Sequence, residues 1–140
     1  MMIGVAKANH YQDKYVTLTE QPIFPPERIH LEDPFIWQTD QGYELIAKDM
    51  DGRTGGEFHG GIHAYSKDGL AWELSSNPKA YSRSILWDDG NTRVMGSLER
   101  PFLLFQDGQP THLFAATADG PGGFRHATKT WNMVIPLKTE

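Results

Sequence analysis

The chain repeats itself, and a tandem repeat limits the choice of fold more than any composition can, because each copy must form the same local unit and stack on its neighbour. Leu31-Glu32-Asp33-Pro34-Phe35-Ile36-Trp37 realigns on Leu98-Glu99-Arg100-Pro101-Phe102-Leu103-Leu104 with an offset of 67 residues. After each copy a polar turn, Asp40-Gln41-Gly42 or Asp107-Gly108-Gln109-Pro110, leads into a second apolar run, Tyr43 to Ala47 or His112 to Ala116. Both runs reach an Asp-Gly, at Asp51-Gly52 and Asp119-Gly120. The stretch from Gly60 to Ser66 then corresponds to the stretch from Gly122 to Thr128.

Each copy thus accommodates about four short strands separated by turns, the content of one propeller blade. The period is too wide for solenoids built on 20–50 residues. Ahead of the first copy, Ile3 to Asn9 and Tyr15 to Leu18 read as the two outer strands of a blade without its inner partners. The predicted fold is all-β, a partial β-propeller of about two four-stranded antiparallel blades, 31–82 and 98–137, plus a leading half blade in residues 1–20, all within one domain, 1–140. Pro or Gly interrupts nearly every window of 12 residues, so long helices are excluded. Two segments, Asp51 to Gly61 and Asn77 to Gly96, read as irregular.

A length of 140 residues suits one domain with its own core and is short for two. With 39% hydrophobic and 22% charged residues, 14 Gly and 9 Pro, the composition is that of a turn-rich globular chain. A net charge of -5 offers no basic face to a phosphate backbone, which argues against nucleic acid as a partner. No stretch is apolar enough for a membrane helix, and the first residues hold no apolar segment of signal-peptide length, so the localisation stays unknown. The absence of cysteine removes disulfides, thiolate metal sites and a Cys nucleophile, leaving oxygen and imidazole chemistry.

The acidic residues of the repeat are the strongest candidates for that chemistry. Glu32-Asp33-Pro34 and Glu99-Arg100-Pro101 open the innermost strand of each expected blade, where proline is tolerated. Propellers point that end toward one mouth of the central channel, so carboxylates of neighbouring blades converge there. Carboxylates meeting in a partly dry funnel are what glycosidic cleavage uses. The local alternatives are a salt bridge from Glu99 to Arg100 or Arg93, and a turn-capping role for Asp33.

His59 and His63 stand four apart, but in a Gly-rich loop and strand that spacing does not put both rings on one face, so no metal and no cofactor is assigned. His63 is kept as a ligand contact, with a hydrogen-bonded core role as its alternative. Trp87, in a loop, suits stacking on a sugar face, whereas Trp72 and Trp131 suit packing between blades. Arg53, Arg83 and Arg93 read as loop arginines at the surface.

Taken together, these motifs resemble the C-terminal part of the five-bladed propeller glycoside hydrolases of family 43 and its neighbours. The resemblance covers nearly the whole chain through short motifs, among them Gly61 to Trp72 as third strand, hairpin and fourth strand. It implies that Asp33, in Leu-Glu-Asp-Pro-Phe, tunes and orients the acid, and that Glu99, in Ser-Leu-Glu-Arg-Pro-Phe, is the general acid. Arg100 replaces the glycine usual beside that acid. Glu32, His63, Trp87 and Arg100 become expected substrate contacts.

The family's catalytic base, an aspartate of the first blade, has no counterpart among these residues. The implied function is therefore a glycoside hydrolase-like protein that binds a carbohydrate or cleaves its glycosidic bond with acid assistance. The alternative is a non-catalytic carbohydrate-binding or structural module. Open blade flanks also imply a homo-oligomer.

Overall fold

A computed structural model of the chain describes residues 2–138, so both ends of the expected 1–140 domain lie outside the described residues. The described residues form antiparallel β-sheets and no α-helix. The strands are β1 (Ala6–Lys7), β2 (Val16–Thr17), β3 (Leu31–Thr39), β4 (Gly42–Asp49), β5 (Gly61–Ser66), β6 (Glu73–Tyr81), β7 (Ser84–Leu86), β8 (Thr92–Val94), β9 (Ser97–Gln106), β10 (Gln109–Ala118) and β11 (Thr130–Pro136).

Two larger sheets carry the repeat: a four-stranded one ordered β3-β4-β5-β6 and a three-stranded one ordered β11-β10-β9. Neither closes on itself. The pairs β1-β2 and β7-β8 make two small sheets, so the leading strands exist but span only two residues each. The expected irregular stretch from Asn77 to Gly96 instead holds the end of β6 and the β7-β8 hairpin.

In the second copy the third strand is Thr130–Pro136, not the stretch from Gly122 to Thr128, where Gly123–His126 forms a 3₁₀ turn. Close approach explains the difference. A side chain at Gly96 would lie 1.8 Å from the Gly120 carbonyl oxygen, and one at Gly120 would lie 2.4 Å from that of His126. The loop is then fastened by Asp119, which accepts from the backbone N–H of Thr128 and of Lys129, each at 2.9 Å. Strand pairing resumes after those bonds, so this sheet carries three strands among the described residues where four were expected.

The repeat extends to an irregularity. Between Glu32 and Phe35, β3 holds one residue more than β4 opposite it, and between Glu99 and Phe102, β9 holds one more than β10. Each bulge contains the residue before the proline, Asp33 at φ 54° and Arg100 at φ 52°, in the left-handed region that only glycine enters without strain. Pro34 and Pro101 have no N–H to lose from the ladder at such a place.

Three apolar clusters hold these parts together. Leu31, Leu45, Ala47, Ile62, Ala64 and Trp72 on one face of the first sheet are capped by Phe24, with Ile3, Ile23 and Ile29 around it. The opposite face, through Phe35, Trp37 and Ile46, packs on Leu103, Leu113 and Ile135 of the second sheet. Met95, Leu98, Ala115 and Met133 close the second sheet against Ile85, Trp87 and Trp131. Trp72 is thus a core residue, and Trp131 packs partly buried against the second sheet's core.

Candidate functional site

The inner strands β3 and β9 lie beside each other with their bulged starts together. Carboxylate oxygens of Glu32, Asp33 and Glu99 consequently all lie within 4.8 Å of one another. The two bulges are joined directly, because the Arg100 backbone N–H donates to Asp33 Oδ2 at 3.1 Å.

Three carboxylates so close would repel one another without a counter-charge. Lys48 supplies it from β4, where its register partner is Glu32. Its ammonium is buried, 2.7 Å from Glu32 Oε2 and hydrogen-bonded to the Glu99 carboxylate. Burial by itself would lower the Lys48 pKa, but the hydrogen bonds to Glu32 and Glu99 outweigh it and leave the group above its ordinary value. The hydrogen bond from Lys48 holds Glu32 below the ordinary carboxylate range against the opposing effect of burial. At the Lys48 register position the second sheet has Ala116, opposite Glu99, so one lysine serves both copies.

His59 and Tyr81 complete the surroundings. Burial lowers the His59 imidazole, with Lys48 pushing the same way and Glu99 opposing. It sits at φ 60° at the end of a loop held by the buried Asp49 carboxylate, which accepts from the backbone N–H of Gly52, Thr54 and Gly55 at 3.0, 3.0 and 2.7 Å. Glu57 ties the same loop to the segment between the sheets, accepting from the Ser82 hydroxyl at 2.7 Å, the Arg83 backbone N–H at 2.9 Å and Lys79 at 2.8 Å. Burial, together with the negative charges of Glu99 and Asp33, pushes the Tyr81 phenol well above its ordinary value. The Tyr81 hydroxyl is itself buried without a hydrogen-bond partner.

Of the sequence candidates, Glu32, Asp33 and Glu99 are brought together, with Arg100 joined through its backbone. His63 stands apart on β5, its ring nitrogens meeting the Ser75 hydroxyl and the Glu44 carboxylate, and its ring stacked with Trp37 at 6.1 Å. Trp87 lies on the β7-β8 hairpin against the second sheet's core, with the Arg93 guanidinium 5.2 Å from its ring centre. Arg93 pairs with Asp89, and the partner of Glu99 is Lys48 rather than either arginine.

Sequence reasoning missed Lys48 and Tyr81. A lysine two positions after Ile46, on the face that points to the neighbouring sheet, was the available signal. No family model, no curated protein and no solved structure matches this chain.

Proposed function

We propose that the two larger sheets are successive blades of a β-propeller and that the cluster at their inner ends engages a carbohydrate in the manner of a glycoside hydrolase. Glu99 is the acid toward the glycosidic oxygen, and Asp33 orients it. The convergence of repeat-equivalent carboxylates at one place, within 4.8 Å, carries this reading. That spacing is tighter than the roughly 5–5.5 Å between acid and nucleophile in retaining enzymes and the roughly 6.5–9.5 Å between acid and base in inverting ones. It fits an acid with its orienting carboxylate, and it leaves the base or nucleophile to a residue outside this trio.

The chemistry asked of the site is proton donation to the leaving oxygen as the anomeric C–O bond breaks. Glu99→Gln is expected to abolish release of nitrophenol from aryl arabinosides, xylosides, fructosides or galactosides while far-UV circular dichroism stays unchanged. No turnover of any of these by the unaltered chain would remove the catalytic role.

Lys48 favours a second reading. A carboxylate engaged with an ammonium accepts hydrogen bonds and donates none, which suits Glu32 and Glu99 to gripping sugar hydroxyls without cleavage. Calorimetry distinguishes the two: heat of binding without turnover assigns the chain to carbohydrate binding alone.

A further inference from the structure

The face of the second sheet that points away from the first is largely open, although the Phe102 ring meets Phe35 of the first sheet edge-on with 5.0 Å between ring centres. Register equates it, position by position, with the covered face of the first sheet: Phe35 corresponds to Phe102, Trp37 to Leu104, Ile46 to Phe114, and His63, opposite Ile46, to Val134, opposite Phe114. In the first sheet Phe35, Trp37 and Ile46 meet Leu103, Leu113 and Ile135, and His63 stacks on Trp37 beside them. In the second, Phe102 is 52%, Leu104 40% and Val134 50% exposed. A sheet face this apolar, carrying the same pattern as one already in an interface, is built to be covered. The other end of the molecule mirrors the need, because Tyr11, Tyr15, Val16 and Leu18 of the leading segment are also exposed.

We propose that a second copy of this chain covers the Phe102–Val134 face with its leading segment, and that the same contact made in return closes a two-fold ring. The occupant follows from continuity: the contact extends the sheet-on-sheet interface that the chain already makes within itself. A head-to-tail contact closes only if its rotation does. Two copies, each with a two-stranded leading sheet and two larger sheets, supply six blade positions, two of them only half filled, and six lies within the range of known propellers. The ring rests on the propeller reading above. It places two sets of Glu32, Asp33 and Glu99 around one axis, so that a carboxylate of the second copy stands across the mouth from Glu99, where the trio of one chain has no base.

The chain has no cysteine, so introduced ones report contacts without background. A chain carrying Val134→Cys mixed with one carrying Val16→Cys is expected to cross-link under mild oxidation, while Val134→Cys alone stays uncross-linked. Sedimentation equilibrium of the unaltered chain should give twice 15.8 kDa, and the substitution Leu104→Asp on the open face should return it to a single chain with unchanged circular dichroism. A single-chain mass at tens of micromolar, a higher oligomer, or a 134–134 cross-link would each overturn the ring. The sugar reading is tested separately on the unaltered chain: a doubled mass with neither binding nor turnover of the aryl glycosides keeps the ring and discards the sugar.

Discussion

Asp33 and Arg100 occupy the same position in their respective repeats, share the same left-handed backbone at φ 54° and 52°, and are hydrogen-bonded to each other. The bond joins two bulges, fastening the inner strands where the carboxylates meet. It uses the backbone of Arg100 and the side chain of Asp33, so the two positions tolerate different replacements. Arg100→Gly relieves left-handed strain and keeps the bond, and is expected to stabilise the fold by about 1 kcal/mol in urea unfolding. Asp33→Ala loses the acceptor and should destabilise it.

Lys48 neutralises two glutamates from a buried position. Lys48→Met leaves both without their cation, and removing one member of a buried ion pair costs about 3–5 kcal/mol. In a Glu32→Gln, Glu99→Gln background the same substitution is expected to cost far less. A double-mutant comparison of urea midpoints that showed equal losses in both backgrounds would mean that Lys48 acts through packing alone.

Acid should weaken the fold in two separable steps. His59 is held below 6.5 when folded, so the unfolded chain takes its proton first, and stability falls as the pH drops through 6.5 until the lowered folded value is reached. Glu32 is held below 4.5, so its contribution is complete above 4.5 and is lost as the pH falls through its folded value. His59→Gln should flatten the first step and Glu32→Gln the second, as read from thermal midpoints between pH 3 and 8.

The buried carboxylate of Asp49 organises the loop that ends at His59. Asp49→Ala leaves the backbone donors of Asp51, Gly52, Thr54 and Gly55 without their carboxylate and is expected to cost about 2–3 kcal/mol. Faster amide exchange at Gly52, Thr54 and Gly55 would locate the damage in the loop, and unchanged exchange there would refute this role.

Gly61 lies under the ring of Tyr81, where an added methyl group would come within 2.1 Å of the ring carbons. Gly61→Ala is therefore expected to cost about 1–3 kcal/mol by overpacking. Much of that loss should vanish in a Tyr81→Ala background if the clash is its cause.

Much of this arrangement was legible because repeat and turn chemistry are local. The Leu-Glu-x-Pro-Phe segments announced two equivalent strands, and the apolar runs Tyr43 to Ala47 and His112 to Ala116 after their polar turns announced the partners. The Gly122 to Thr128 stretch misled because its likeness to Gly60–Ser66 is compositional, while the close approach of Gly96 to Gly120 is a tertiary constraint. Lys48 was hidden for a related reason. A charged residue closing an apolar strand reads as a surface group until the partner strand shows Glu32 opposite and the neighbouring sheet brings Glu99.

Glu57 grips the connection between the two sheets two residues before His59. Were the sheets to splay, Ser82 and Arg83 would pull on Glu57 and so drag the histidine along. The His59 ring resonances are therefore the place to look for any change in the angle between the sheets beside the Glu32, Asp33 and Glu99 carboxylates.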